Sequence, residues 1–282
     1  MRAERNREPS MRAWDRSQAI IFVISAFALN WTLSIAGSFG PQIKVEIPSL
    51  QFAISSQFVL LTAASLLPAI FCVVFYPECR SSLKKVNASW AVYFVAIAVG
   101  LILPFMSYFG SHYSAFPWGR PAAMTLMRVF ALNLLLSPLW EEIIWRGCFL
   151  NKVRSFSSMS GGILLSSIGW TIWHGGFIAY LYSGGTPIRV LSVLPATYFC
   201  AGIIFCSLFE IGGGTLWPCV LLHSGFNAST LVYYQSYDRV SEMSSYVAEL
   251  IVTAVVAAIF FRIAIRRSRP LETPKSSSAP AP

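Results

Sequence analysis

Apolar residues along this chain occur in long runs that are separated by short polar stretches. A helix needs about 20 mostly apolar residues to cross the hydrocarbon core of a bilayer. By that measure the sequence contains eight such runs, at residues 19–38, 51–75, 89–109, 125–146, 160–182, 189–209, 213–234 and 246–265. Polar residues interrupt the fourth, fifth and seventh runs. The pattern therefore predicts an all-α membrane helix bundle with about eight transmembrane helices.

The basic residues predict the orientation of this bundle. Cytoplasmic loops of membrane proteins are enriched in Lys and Arg. With eight spans and a cytoplasmic N-terminus, sixteen Lys and Arg residues fall inside and five fall outside. Removing one span would place half of the basic loops on the wrong side. We therefore expect both termini in the cytoplasm.

Composition agrees with a chain that is solvated largely by lipid. Of its 282 residues, 55% are hydrophobic and 12% are charged, and the mean hydropathy is +0.60. A water-soluble domain of this length needs more polar surface. The net charge of +9 is spread over the termini and loops, which argues against a nucleic-acid partner. The six cysteines show no zinc-finger or disulfide spacing and are expected to pack as small apolar side chains.

Three segments follow from these patterns. Residues 1–18 are expected to form a basic cytoplasmic N-terminus, 19–266 the eight-span domain, and 267–282 a disordered cytoplasmic tail rich in Pro, Ser and Ala. The first apolar run is long for a signal peptide and lacks a clear cleavage site, so we expect it to be retained as a span. We expect the protein to lie in the plasma membrane, with the lipid bilayer as one of its partners.

The segment "EEIIWRG", residues 141–147, carries two acids and an arginine into an apolar run. On a helix, Glu142 and Arg146 are i, i+4 neighbours in the order that favours an ion pair. Glu141 is rotated about 100° away, so Arg146 cannot serve both carboxylates equally. Glu142 and Arg146 are therefore interpreted as a supporting pair, and Glu141 as the carboxylate available for chemistry.

Two of the three histidines, His174 and His223, also lie inside apolar runs. His174 and His223 lie roughly 15–21 Å from the cytoplasmic ends of their spans at 1.5 Å per residue, and Glu141 lies about 8 Å from the cytoplasmic end of its span. Ionisable residues inside membranes usually face the bundle interior and contact one another. We therefore expect one shared site. Asn227 follows His223 by four residues on the same helix face, and this pair could stabilise an oxyanion.

The absence of two catalytic motifs reduces the number of reaction mechanisms that fit the sequence. It contains no GxSxG nucleophile elbow and no HExxH zinc-protease motif. Water activated by a carboxylate and an imidazole is compatible with the residues present. One glutamate and two histidines are also compatible with zinc binding. A proton-coupled transporter and a non-catalytic immunity or scaffold protein stay open as alternatives.

Three motifs resemble those of the CPBP intramembrane protease family. "EEIIWRG" is similar to EExxxR, "WTIWH" (170–174) to FxxxH, and "HSGFN" (223–227) to HxxxN. This family includes type II CAAX prenyl endopeptidases and bacteriocin-processing or self-immunity proteins. The order and spacing of the motifs and the eight-span frame also agree, so the resemblance covers about residues 90–235. One position departs from the pattern, because Trp170 stands where the family has Phe.

The resemblance implies a role for each motif residue. Glu141 would be the general base that activates water, His174 would assist and orient it, and His223 with Asn227 would stabilise the oxyanion. Glu142 and Arg146 would be supporting residues, and Trp170 would keep a packing role. The implied enzyme is an intramembrane glutamic-type endopeptidase without a cofactor, the alternative being a zinc-dependent form. Its partner would be a membrane-bound protein or peptide substrate, prenylated or carrying a C-terminal anchor.

Overall fold

The computed structural model describes residues 9–39, 44–47, 52–109, 120–236 and 243–268. Each of the eight predicted apolar runs is helical over most of its length. The helices are α1 (Pro9–Phe39), α2 (Ser56–Phe75), α3 (Pro77–Lys84), α4 (Trp90–Phe109), α5 (Arg120–Leu135), α6 (Ser137–Glu142), a π-helix (Ile143–Leu150), α7 (Asn151–Arg154), α8 (Met159–Trp173), α9 (Gly175–Ser183), α10 (Ile188–Leu191), α11 (Leu194–Ile211), α12 (Trp217–Ser236) and α13 (Met243–Ser268). The segment predicted as a cytoplasmic tail lies outside the described residues from 269 onward, as do residues 1–8.

A short antiparallel hairpin is the exception to the all-α prediction in the described part of the chain. Its strands are β1 (Lys44–Ile47) and β2 (Phe52–Ser55), with Lys44 opposite Ser55 and Ile47 opposite Phe52. Both strands contain β-branched or aromatic residues, which favour extended backbone. The apolar run at 51–75 thus begins as a strand and becomes helical only at residue 56. In its coarse form the helical prediction is confirmed.

In the described part of the chain, fewer helices than the eight predicted spans are long and apolar enough to cross a bilayer. Among the described residues, Ile188–Ile211 and Met243–Arg267 are each long and apolar enough to cross a bilayer. Two bent pairs pass the same test together: Thr62–Phe75 with Pro77–Lys84, bent by 102°, and Ala123–Leu135 with Ser137–Arg154, bent by 40°. This gives two to four candidate spans. The count of eight and the orientation stay predictions.

Large apolar side chains cover the outer faces of several helices. Ile24 on α1, Phe94 on α4 and Ile251 on α13 are 62%, 74% and 58% exposed. Water-soluble monomers rarely expose contiguous apolar patches of more than a few hundred Å². These faces are therefore suited to lipid, as in an integral membrane protein.

Several basic residues predicted to be cytoplasmic form ion pairs near the ends of helices. The Nζ of Lys152 lies 3.1 Å from Oε1 of Glu78, joining α7 to α3. The guanidinium of Arg154 donates to both carboxylate oxygens of Glu210 at 2.8 and 2.9 Å, joining α7 to α11. These two ion pairs link α7 to α3 and to α11.

The α8–α9 boundary falls inside the run predicted as one helix, 160–182. The break lies at His174, which ends α8 and precedes α9. Helix α1 supplies donors to α8 carbonyls just before the break: Asn30 Nδ2 donates to the carbonyl of Trp173, and Trp31 Nε1 to that of Ile172, both at 3.1 Å. Satisfied carbonyls are what a break in a helix within lipid requires. The result is a fixed position for His174.

Two glycines bring α4 and α12 into close contact. A Cβ at Gly225 would lie 3.1–3.2 Å from backbone atoms of Gly100 and Leu101. A Cβ at Gly100 would clash with the backbone carbonyl of Leu222. Small residues allow this close approach of helices in membranes. Because His223 lies between these contacts on α12, the glycines also fix its position relative to α4.

Gly100→Val is expected to destabilise the bundle by about 1–3 kcal/mol, since the added side chain meets backbone that cannot rotate away. Equilibrium unfolding in mixed micelles measures the loss. The matched control is Gly184→Val at an exposed position where a Cβ meets nothing closer than 3.5 Å. We expect that control to stay within about 0.5 kcal/mol of the parent protein. Equal losses in the two variants would contradict the close-contact argument.

Candidate active site

Residues from three parts of the fold line one cavity of about 540 Å³. Glu141 comes from α6, His174 from the α8–α9 break, and His223 and Asn227 from α12. Glu141 and His223 are buried, with 7% and 4% of their surface exposed. The structure thus brings together the four residues that the sequence assigned to chemistry. Their catalytic roles stay predictions.

Two hydrogen bonds hold the Glu141 carboxylate. Ser137, one helical turn earlier, donates its hydroxyl to Oε1 at 2.5 Å. Trp170 of α8 donates its indole Nε1–H to Oε2 at 3.1 Å. An ionised carboxylate has about four lone-pair positions. Glu141 is therefore oriented by two donors and keeps acceptor capacity toward the cavity.

Glu142 follows Glu141 in the sequence and is fully buried. Its carboxylate contacts Arg146 and His223. Its Oε1 lies 3.2 Å from Nη1 of Arg146, which confirms the predicted i, i+4 ion pair. The same oxygen lies 2.8 Å from Nδ1 of His223 on α12. Because a carboxylate oxygen accepts this bond, Nδ1 of His223 carries a proton, and Nε2 stays available to a ligand. Glu142 thereby fixes the orientation of the His223 ring.

Aromatic rings enclose the Arg146 guanidinium. Its Cζ lies 5.1 Å from the ring centroid of Trp170 and 4.7 Å from that of Phe205. A cation over an aromatic face is stabilised by the quadrupole of the ring. Phe205 also packs against His223 with 5.0 Å between ring centroids. The ion pair and the histidine thus share one aromatic enclosure.

His174 is fixed by one hydrogen bond and two ring contacts. Its Nδ1 lies 2.8 Å from the carbonyl oxygen of Trp170. A carbonyl only accepts, so Nδ1 donates and Nε2 of the neutral ring is an acceptor. The ring stacks on Tyr198 and meets Trp170 edge-on, both with centroids 4.3 Å apart. His174 therefore presents one basic nitrogen in a defined direction.

Asn227 lies one turn after His223 on α12 and lines the same cavity. Its carboxamide offers two N–H donors. Together with a donor at His223 Nε2, this face of α12 has the composition of an oxyanion site.

The donor set gives zinc no ligand cluster. No group of three or more His, Cys, Asp or Glu side chains is placed to hold a metal ion anywhere in the described ranges.

The sequence alone missed several parts of this site. Ser137 precedes Glu141 by four residues, so helical spacing contained the signal for that contact. Trp170 was expected only to pack, yet its indole bonds Glu141, which the Phe of the family pattern could not do. Tyr198 and Glu249 also line the cavity. A carboxylate in the last apolar run was a visible signal for Glu249. Nothing in the sequence singled out Tyr198.

Trp170→Phe is expected to lower kcat of the proposed peptidase by about tenfold with little change in KM, because one net hydrogen bond to Glu141 is lost. Trp173→Phe is the matched control, since it removes an indole from the same helix without a bond to Glu141. Steady-state kinetics on one peptide reporter measure both. If the two variants lose kcat equally, the Trp170 indole has no specific role in orienting Glu141.

Helices with lipid-suited outer faces around a buried carboxylate–imidazole site define an integral membrane protein with a hydrolase-like centre. Residues 123–229 match the family model described as type II CAAX prenyl endopeptidase Rce1-like. The match contains all three motifs and the site residues, so this part of the chain is similar to a family of CAAX peptidases. No curated protein matches the chain.

Proposed function

We propose that the protein is an intramembrane glutamic-type endopeptidase that hydrolyses a peptide bond of a membrane-associated substrate. The observation that carries this proposal is the arrangement of Glu141, whose carboxylate is held by Ser137 and Trp170 and lines the same cavity as His174 and His223. A base with fixed orientation beside two imidazoles is suited to activating water.

In the first step, Glu141 accepts a proton from a water molecule while the water oxygen bonds to the scissile carbonyl carbon. His174 accepts a hydrogen bond from the second water proton at Nε2 and so orients the nucleophile. Pre-orientation of the reacting groups lowers the entropic part of the barrier. The product of this step is a tetrahedral oxyanion, with the proton now on Glu141.

In the second step, the oxyanion accepts hydrogen bonds from Asn227 and from Nε2–H of His223. The C–N bond then breaks, and Glu141 returns its proton to the leaving nitrogen. The products are a carboxylic acid and an amine, and the enzyme is regenerated. Donors aimed at the developing negative charge supply much of the rate enhancement of such sites.

Charge balance supports a donor at His223 Nε2. Glu141 and Glu142 contribute two negative charges and Arg146 one positive charge. A His223 with protons on both nitrogens brings the sum of these four groups to zero. Uncompensated charge is costly inside a membrane. Glu142 thus supports catalysis by holding His223 as the second cation.

The walls of the cavity favour a substrate with a lipid-like or aliphatic portion. Its lining is mostly apolar, and its aliphatic and phenylalanine side chains include Val129, Leu132, Leu136, Phe177, Leu181, Leu194, Phe205, Phe226 and Leu231. Apolar pockets with a few convergent polar groups are typical ligand sites. A prenylated or C-terminally anchored peptide fits this chemistry. In this proposal the enzyme needs no cofactor and acts in the plasma membrane.

The test uses purified protein in lipid nanodiscs and an internally quenched S-farnesyl peptide that ends in a CAAX-type sequence. Mass spectrometry of the products is expected to show one cleaved bond near the prenylated cysteine, with equal rates in chelator and in added zinc. Substrate-driven proton flux in vesicles without any cleavage would favour a transporter instead. Intact reporter peptides under all conditions, with no cut found in the termini of the membrane proteome, would refute the peptidase.

A further inference from the structure

A second carboxylate lines the cavity from α13, outside the segment that matches the family. Glu249 and Tyr246 lie three residues apart on one face of α13, and both line the cavity. Glu249 is partly buried. Nothing in the proposed water activation or oxyanion stabilisation uses this residue. Carboxylates within membrane helices mark functional sites, because their desolvation costs free energy.

Within the described ranges, the Glu249 carboxylate forms no hydrogen bond or ion pair. The next described basic residue on α13 is Arg262, which lies 13 positions later and therefore about 20 Å along the helix axis. A partly buried carboxylate is stable in lipid when a cation or several donors face it. The partner of Glu249 is therefore expected to come from a ligand in the cavity.

Tyr198 connects Glu249 to the catalytic end of the cavity. It lines the same cavity as Glu249 and Glu141, and its ring stacks on His174 with centroids 4.3 Å apart. Glu249 therefore lies within a few residues of the cleaved bond for an extended peptide, which spans about 3.3–3.6 Å per residue. A long side chain of the substrate can bridge this separation.

The positive charge of the site lies at its catalytic end, at His223 and Arg146. Among the described residues that line the cavity, there are two glutamates and two histidines but no Lys or Arg. Arg146 lies behind this wall and is paired with Glu142. A cleft lined by one sign of charge raises the local concentration of ligands of the opposite sign. The end of the cavity near Glu249 therefore attracts a cation.

We propose that Glu249 is a specificity-determining residue that binds a Lys or Arg side chain of the substrate, so that the enzyme selects membrane-associated peptides with a basic residue within a few positions of the cleaved bond. This inference rests on the proposed peptidase function. The recognition is an ion pair between one carboxylate and one side-chain cation, in a site where apolar walls strengthen the attraction. A neutral or acidic residue at that substrate position leaves Glu249 unpaired.

The test compares S-farnesyl reporter peptides that differ at a single residue. That residue is Lys, Gln or Glu, and it is placed in turn at each of the three positions on either side of the modified cysteine. For the parent protein, kcat/KM for the best Lys reporter is expected to exceed that for its Gln counterpart by about tenfold. Glu249→Gln is expected to bring this ratio close to one. Glu249→Lys is expected to invert the order, with the Glu reporter cleaved fastest. Either variant that folds therefore tests the proposal.

The matched control is Glu78→Gln, which removes a carboxylate that is paired with Lys152 away from the cavity. It is expected to keep the Lys-over-Gln ratio of the parent. A ratio near one for the parent at every position, or a ratio that survives in Glu249→Gln, overturns the proposal.

A binding measurement separates this inference from the peptidase proposal. In a Glu141→Gln background, fluorescence anisotropy of the labelled reporters reports affinity without turnover. Tighter binding of the Lys reporter that disappears with Glu249→Gln supports the role of Glu249, even if the parent protein cleaves no reporter. Equal binding of the Lys and Gln reporters refutes it, whatever the cleavage assay shows.

Discussion

Glu141→Gln is expected to reduce peptide cleavage at least about a thousandfold, because a positioned general base contributes 10²–10⁴-fold to such reactions. The amide of Gln keeps the volume of the carboxyl group. Its oxygen can still accept from Trp170, and its NH₂ can donate to the hydroxyl of Ser137. The loss is therefore expected in kcat rather than in the fold. Single-turnover cleavage in nanodiscs, with thermal unfolding of the same samples, measures both quantities.

The matched control for this substitution is again Glu78→Gln, which changes the same functional group outside the cavity. It is expected to retain the parent activity. A Glu141→Gln protein that cleaves within a factor of three of the parent would remove the carboxylate from the mechanism. A variant that loses its fold along with its activity would assign Glu141 a structural role instead.

Arg146→Met is expected to destabilise the protein by about 3–5 kcal/mol, the usual effect of removing one partner of a buried ion pair. Arg146 and Glu142 are both 0% exposed. Met fits between the rings of Trp170 and Phe205 but leaves Glu142 with one counter-ion fewer. Reversible unfolding in mixed detergent micelles measures the free energy.

The double variant Glu142→Gln, Arg146→Met tests whether unpaired charge causes this loss. It is expected to recover at least half of the stability, because no buried carboxylate is left without its cation. Lys152→Met provides the comparison, since the Lys152–Glu78 pair is partly exposed. Such pairs contribute about 0–1 kcal/mol. A single-variant loss as small as that of Lys152→Met would show that the pair is not buried as described.

The helices and one contact of the site could be predicted from local patterns. Long apolar runs located the helical segments, because the apolar length that a membrane helix needs lies within one continuous stretch of sequence. The spacing of Glu142 and Arg146 predicted their ion pair, because i, i+4 residues meet on any α-helix. The helix break at His174 was not predicted. It accompanies donors from Asn30 and Trp31 of α1, more than 140 positions away along the chain.

The order of three motifs in the sequence indicated the family resemblance and the candidate residues for chemistry. The partner of each of those residues was decided by tertiary structure. Trp170 reaches Glu141 across 29 positions, and His223 reaches Glu142 across 81. Both bonds depend on how helices rotate and approach, which contacts such as Gly100 with Gly225 determine. Sequence periodicity records the side of a helix on which a residue lies, whereas packing between helices determines what that side faces.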